Sequence, residues 1–342
     1  MTKCLICGQR PAAKIIGACP ECLRSLSMEQ VPLATHESSR KALGLPGAAP
    51  HQSTGPQCRL CANECRPGAD ELGYCGLRKN TSGRMSPVAP PGTALVHIYL
   101  DPLPTNCCAA WFCRGSRERG YNLAVFFYGC NFDCLFCQNH SHKQLARAPL
   151  LTEERLVEAA LHPEVRCICF FGGSPEPQLP FALKVSRRIL KESQGKKHIC
   201  WEWNGCGNPG LVKKAAELSF ESGGTVKFDL KSFAPQISLA LCGVDNRRAY
   251  ENFSMLSGRY PKKDLLTATT LLVPYYVDKK EVSGTAKFIA GLDKNIPYSL
   301  LVFHPDYLLT DLPRTPREQV DECSNEARRH LSRVNVGNIQ LL

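Results

Sequence analysis

An α/β fold built on a parallel sheet is what this sequence predicts, and three observations predict it. From residue 121 onward, six short β-rich apolar runs alternate with helical patterns. Several of these runs are almost continuously apolar, as strands covered on both faces are. The unusual residues collect just after the runs, at the C-terminal edge where parallel α/β sheets build their sites. Strand–helix alternation of this kind implies a sheet that is open or curled into a partial barrel.

The elements follow in order. The run 121–129 (YNLAVFFYG) leads into a cysteine loop, and 166–171 (RCICFF) leads into GGSPEP at 172–177. The third run, 197–203 (KHICWEW), ends in EWNG at 202–205, and the fourth, 225–230 (TVKFDL), ends in DLK at 229–231. The fifth, 266–274 (LTATTLLVP), ends in VPYY at 273–276, and the sixth, 298–304 (YSLLVFH), ends in FHP at 303–305. Between them, Asn208-Pro209 reads as a helix N-cap followed by proline at the first helical position. Thr315-Pro316-Arg317-Glu318 reads as a capping box with the same proline. The expected organisation is a zinc-ribbon-like module at 1–25, a linker at 26–55, a cysteine-rich leader at 56–115, the barrel at 116–310 and a closing helix and strand at 311–342. The linker reading rests on the Pro-, Gly- and Ala-rich stretch LPGAAPHQSTGP at 45–56.

Composition narrows the function classes. The 342 residues contain no apolar run of about 18, so no membrane helix is expected. MTKCLICGQR at the start lacks the apolar core of a signal peptide, and a cytoplasmic protein is expected. Twenty cysteines, many in C-x2-C pairs and without an export signal, favour metal ligation over disulfides. The formal charge of +11 falls to roughly +6 once two four-thiolate zinc sites and one three-thiolate iron–sulfur cluster are counted. The basic residues are dispersed as pairs, Arg187-Arg188, Lys213-Lys214, Lys262-Lys263 and Arg328-Arg329, as on solvated helix faces. Charge alone does not argue for a nucleic-acid partner and does not exclude one.

The loop YGCNFDCLFCQN, 128–139, places Cys130, Cys134 and Cys137 at C-x3-C-x2-C spacing. A tetrahedral zinc site or an ordinary cubane takes four thiolates. Either Cys113, His140 or His142 completes a zinc site, or one metal position is left open for a small chelating ligand. The spacing, with the aromatic Phe136 before the last cysteine, resembles the motif of the radical S-adenosylmethionine (SAM) superfamily. That resemblance implies a partial (β/α)6 TIM-like barrel of parallel strands with cysteine-rich metal-binding appendages at its N-terminal side. It also implies a 4Fe-4S cluster on the three cysteines, with SAM filling the open iron position. Such enzymes cleave SAM reductively to methionine and a 5′-deoxyadenosyl radical, which abstracts hydrogen from a substrate.

The companion segments extend the resemblance. GGSPEP is similar to the superfamily's Gly-Gly-Glu-Pro segment: Gly172 and Gly173 match, Ser174 stands at the glutamate position, and Glu176-Pro177 follows. WEWNG and KFDLKSF resemble paired segments of enzymes that activate pyruvate formate-lyase and its relatives, which bind SAM and a monovalent cation. The implied ligands are Glu202, Asn204, Asp229 and Lys231, with Lys231 meeting the SAM carboxylate and Glu202 and Asp229 offering oxygens to the cation. LLVFHPDY resembles the segment that carries a SAM-reaching histidine, here His304. CRLCANECRPGADELGYCGLR, 58–78, resembles the leader of Memo-associated radical SAM proteins and of activating-enzyme homologues in the same branch. The branch implies a protein or peptide substrate, as in glycyl-radical activation, and flavodoxin or ferredoxin as electron donor. RNA or a small molecule is the alternative substrate, and a non-catalytic zinc-bearing interaction protein is the alternative of another class.

The remaining cysteines divide into three sets. Cys4, Cys7, Cys19 and Cys22 have C-x2-C-x11-C-x2-C spacing, the zinc-ribbon arrangement, and a mini-domain this small needs a structural metal to fold. Cys58, Cys61, Cys65 and Cys75 form a second four-cysteine group for zinc or an iron–sulfur cluster. Cys107 and Cys108 are adjacent, which rarely suits ligation of one metal, and Cys108 with Cys113 lacks a knuckle; Cys167, Cys169, Cys200, Cys206, Cys242 and Cys323 read as buried small apolar residues, with Cys206 also placed to face a substrate. No barrel motif lies in 1–50, so removing that stretch is expected to leave SAM cleavage intact.

Overall fold

The computed structural model describes residues 1–260 and 264–342, and the Lys262-Lys263 pair lies outside them. Its centre is a nine-stranded sheet. In chain order the strands are β1 (Thr93–Pro102), β2 (Tyr121–Phe127), β3 (Leu150–Thr152), β4 (Val165–Gly172), β5 (His198–Trp203), β6 (Val226–Asp229), β7 (Leu266–Leu272), β8 (Tyr298–Val302) and β9 (Val334–Gly337). Across the sheet they run β9-β8-β7-β6-β5-β4-β2-β1-β3. Pairing is parallel from β2 through to β9, and antiparallel where β1 meets β2 and β3. All six runs expected from sequence are parallel strands. The C-terminal segment adds β9 at one edge, and the leader adds β1 beyond the other side of β2.

Each strand alternates between two environments. In β4, Ile168 and Phe170 are fully buried under the helices, whereas Cys169 and Phe171 face the lumen and are half-buried. The helix Leu179–Glu192 covers this outer face with Ala182, Val185, Ser186 and Ile189, spaced for one helical stripe. The next helix, Pro209–Ser222, starts as expected: Asn208 Oδ1 accepts from the N–H groups of Gly210 (2.9 Å) and Leu211 (3.3 Å). It stops at Gly223, whose φ of +71° suits glycine. The capping box at 315–318 is not formed. The last helix, Arg317–Arg328, has Pro316 at its N-cap. The Thr315 hydroxyl is instead spent between strands, accepting from Phe303 N–H (2.7 Å) and donating to the Leu272 carbonyl (2.8 Å).

The N-terminal appendages are fastened to this sheet. In the ribbon, a small hairpin (Thr2–Lys3 with Pro11–Ala12) and the helix Pro20–Ser25 carry the cysteines. The Tyr276 hydroxyl, fully buried, accepts from Ala13 N–H and donates to the Ala18 carbonyl, each at 2.9 Å. Arg24 reaches Asp278 (2.8 Å) and Glu281 (2.9 Å). Residues 26–55, read as a linker, contain the helix Ala34–Ala42 with buried His36 and Arg40. Its sequence looks solvated because the side chains it buries, His36 and Arg40, are polar and paired rather than apolar.

Candidate active site

The cysteine loop leaves β2 through Gly129, whose φ is +78° and whose added Cβ would lie 2.5 Å from a Leu77 methyl of the leader. Cys130, Cys134 and Cys137 are half-buried around one mouth, and the Cys130 sulfur accepts from Phe132 N–H at 3.3 Å. Among the described residues, the four ribbon cysteines gather their ligand atoms within 4.8 Å of one another, as do Cys107, Cys108 and Glu202. The loop cysteines form no such tight group, with or without Cys113, His140 or His142. Thiolates on one tetrahedral ion lie roughly 3.8 Å apart. The looser triad therefore suits a polynuclear cluster with each thiolate on its own iron, and the single-zinc alternative is not assembled.

The loop closes a cavity of about 180 Å³ at the C-terminal edge, lined also by Phe136, Gly172, Gly173, Glu202, Asn204, Asp229 and Lys231. Here the structure brings together most of the sequence-predicted residues. The two glycines are demanded by close approach: an added Cβ at Gly172 would lie 2.6 Å from Phe127 N, and one at Gly173 would lie 2.2 Å from the Gly129 carbonyl oxygen. Ser174 and Glu176 stand behind this wall rather than on it. Ser174 Oγ donates to Glu176, and it accepts from Asn204 Nδ2 at 3.1 Å. Glu176 accepts from Gly205 N–H at 2.9 Å. Full burial pushes the Glu176 carboxyl up to about 7.

Asp229 and Lys231 project into the cavity from the end of β6 and pair with each other. The Lys231 ammonium also sits 5.6 Å from the Phe136 ring centroid. Burial works against the Lys231 charge, but the Asp229 carboxylate and the Cys134 sulfur outweigh it and raise the pKa. The second Asp229 oxygen, Oδ1, is buried without a partner, an acceptor left for a ligand or cation. Glu202 lines the same cavity as Asp229, and its Oε2 pairs with Lys227 at 3.0 Å. His304 is half-buried and is not among the residues lining this cavity.

Sequence reasoning did not single out Asp133 or Asn131, and it weighed His142 only as a zinc ligand. Asp133, inside the cysteine loop and 1 % exposed, pairs with Lys143, with His36 Nδ1 at 2.9 Å and with Arg40 at 3.7 Å. Burial would raise its pKa, but the His36 bond and the Lys143 charge hold the carboxyl below its usual range. Asn131 is buried and locks to Asn204, whose Nδ2 donates to Asn131 Oδ1 at 2.8 Å. His142 lines the cavity with Nδ1 unpartnered, and burial pushes its pKa down to about 3. Only Asp133 carried a signal, as the one charged residue of the loop 128–139.

The leader is part of this wall. Asn63 Nδ2 donates to the Asn131 carbonyl (2.8 Å), and Ala62 N–H donates to the Cys206 carbonyl (2.8 Å). Cys58, Cys61, Cys65 and Cys75 are all buried, without the tight convergence of the ribbon set. Burial pushes the Cys75 thiol up to about 12. The ribbon sulfurs fit a single ion, with Cys7 and Cys19 Sγ 4.0 Å apart and Cys19 N–H donating to Cys4 Sγ at 3.3 Å.

The model of the radical SAM superfamily matches residues 124–289. An uncharacterized protein of Methanocaldococcus jannaschii is 24 % identical over 291 residues, 83 % of this chain and 81 % of that protein. The isethionate sulfite-lyase activating enzyme of Desulfovibrio desulfuricans is 28 % identical over 135 residues, 39 % of this chain and 40 % of the enzyme. Among solved structures, a radical SAM methyltransferase from Sphaerobacter thermophilus aligns with a TM-score of 0.48 and 15 % identity, over 63 % of this chain and 66 % of that one. A domain of pyruvate-formate lyase-activating enzyme from Bacteroides vulgatus aligns with a TM-score of 0.41 and 17 % identity, over 50 % and 98 %.

Proposed function

From the premise that residues 124–289 are a radical SAM domain and the chain an enzyme of that chemistry, we propose a protein-modifying enzyme of the activating type. Cys130, Cys134 and Cys137 would hold a 4Fe-4S cluster, and Lys231, Asn204 and the Gly172-Gly173 backbone would hold SAM. When bound, the pair supplies one electron and a hydrogen-abstracting radical. The chain's own residues do the positioning. Lys231 offers a buried ammonium to a carboxylate, the free Asp229 oxygen accepts from an amine or a cation, and the two glycines let the ligand approach the backbone. Phe136 and Leu271 supply apolar wall that keeps water from the mouth.

The observation that carries the reading is the convergence of three half-buried thiols, Asp229, Lys231 and Asn204 on one cavity at the strand ends. The partial relative named for activating a lyase favours a protein substrate over RNA or a small molecule. Flavodoxin or ferredoxin is the proposed electron donor. The ribbon, which exposes Leu5 and Ile6, is the proposed docking module and carries structural zinc. Cys58, Cys61, Cys65 and Cys75 would hold a second metal group, and their looser spacing suits an iron–sulfur cluster better than one zinc ion.

A fully deuterated lysate, split by size, tests the substrate class. Deuterium should enter 5′-deoxyadenosine with the macromolecular fraction and be lost after protease treatment. Transfer that survives protease but not nuclease would assign RNA, and transfer with the filtrate would assign a small molecule.

A further inference from the structure

Below the cysteine-loop cavity the lumen opens into a second chamber of about 370 Å³, and the two share Phe171 and Glu202. Strand alternation sets its walls: Asn122, Cys167, Cys169, Cys200 and Lys227 point inward, while Ile168, Phe170 and Trp201 point outward and are fully buried. A barrel interior filled only for packing carries branched apolar side chains. This one carries thiols, an ammonium and a carboxylate.

The floor is the turn after Cys107, where Ala110 N–H donates to the Cys107 carbonyl at 2.9 Å. Trp111 Nε1 donates to Ser299 Oγ at 3.0 Å and ties the turn to β8. The turn aims two consecutive cysteines the same way, so that Cys107 Sγ, Cys108 Sγ and a Glu202 oxygen lie within 4.8 Å of one another. Lys227 Nζ stands 3.1 Å from Cys107 Sγ, 3.2 Å from Cys169 Sγ and 3.0 Å from Glu202 Oε2. Asn122, more than nine-tenths buried on the chamber wall, leaves its Oδ1 without a partner.

We propose that Cys107, Cys108 and Glu202 form a mononuclear site for a thiophilic divalent cation of the zinc type, with its fourth position open to the chamber. The donor atoms need only contract slightly to reach tetrahedral spacing of roughly 3.8 Å, as those of the ribbon also must. Three protein ligands with an open position are the pattern of substrate-binding rather than structural zinc. Two thiolates and a carboxylate around a divalent ion leave one excess negative charge. Lys227 offsets it by bonding to the ligand atoms, the second-shell role that fixes their orientation. Asn122 Oδ1 is the acceptor for a protonated ligand, water or a substrate donor, in the chamber. Adjacent cysteines, which look ill-suited to one metal in sequence, suit it here because the turn and not a strand presents them. The site goes beyond the radical chemistry and does not require the cluster.

The test uses the full chain, equilibrated anaerobically with zinc chloride and freed of excess by gel filtration. Elemental analysis of the Cys107→Ser/Cys108→Ser double variant should show the loss of about one zinc per chain against the parent, with iron unchanged. In the parent, added zinc should protect Cys107 and Cys108 from alkylation, read peptide by peptide by mass spectrometry; this arm decides if the variant does not fold. Equal zinc in parent and folded variant, or equal alkylation of the two cysteines with and without zinc, overturns the site. Either readout is independent of SAM cleavage, so failure of the radical reading and failure of this one are distinguishable.

Discussion

On the proposed function, Lys231 is the residue on which SAM binding would turn. It is half-buried, charged and paired within the cavity, and Asp229 keeps one oxygen free beside it. Lys231→Ala removes a charge-assisted bond of roughly 1.5–3 kcal/mol, so equilibrium affinity for SAM should fall by about 10- to 150-fold. Lys231→Arg should recover only part of this, since a planar fork does not replace a point charge in a cavity this small. Affinity unchanged in Lys231→Ala would make the residue a structural partner of Asp229. Glu176 gives a separate pH signature. Burial raises its carboxyl from 4.5 to about 7, so the native state holds the proton more tightly than the unfolded chain. Relative to Glu176→Gln, the parent should keep its stability below about pH 4.5 and lose it as pH rises through about 7. The total loss should be on the order of 3 kcal/mol, read from urea denaturation at stepped pH. A parent and variant that lose stability in parallel over that range would contradict the assignment.

At the scale of elements, the helix Ala34–Ala42 is the part that composition hid. His36 and Arg40 reach across to Asp133, which Lys143 also contacts, so one carboxylate joins the N-terminal segment to the cysteine loop. Asp133→Asn leaves Lys143 and Arg40 buried without their counter-charge and should cost about 3–5 kcal/mol in urea denaturation. A loss below 1 kcal/mol, an ordinary surface effect, would contradict this role. The same network changes the expectation for deletion of 1–50. Because that deletion removes His36 and Arg40, it should lower cluster content, whereas removal of 1–25 alone should not. What was legible in sequence were the elements with periodic apolar signals: the six strands, the Asn208 cap and the glycine turn at 172–173. What was hidden depended on distant pairing. Thr315 had the form of a cap, but two strand backbones claim its hydroxyl. Cys169 had the form of a small apolar residue, but its sulfur faces Lys227. His304 follows a strand end in sequence, yet it is half-buried and not among the residues lining the cavity.

At the scale of the whole molecule, the sheet has an apolar outside under helices and a lumen with two adjacent cavities that share Phe171 and Glu202. The leader and the ribbon are bound onto its C-terminal edge side by Tyr276, Arg24 and Asn63 rather than tethered by a free linker. The central claim is that the three loop cysteines hold a cluster whose remaining position belongs to SAM. Its most direct test is 5′-deoxyadenosine formation by anaerobically reconstituted, chemically reduced protein, compared with Cys130→Ala, Cys134→Ala and Cys137→Ala. The parent should cleave SAM, and each variant should lose that activity while keeping its far-UV circular dichroism. Undiminished 5′-deoxyadenosine from any one of the three, with iron reconstituted, would contradict the account.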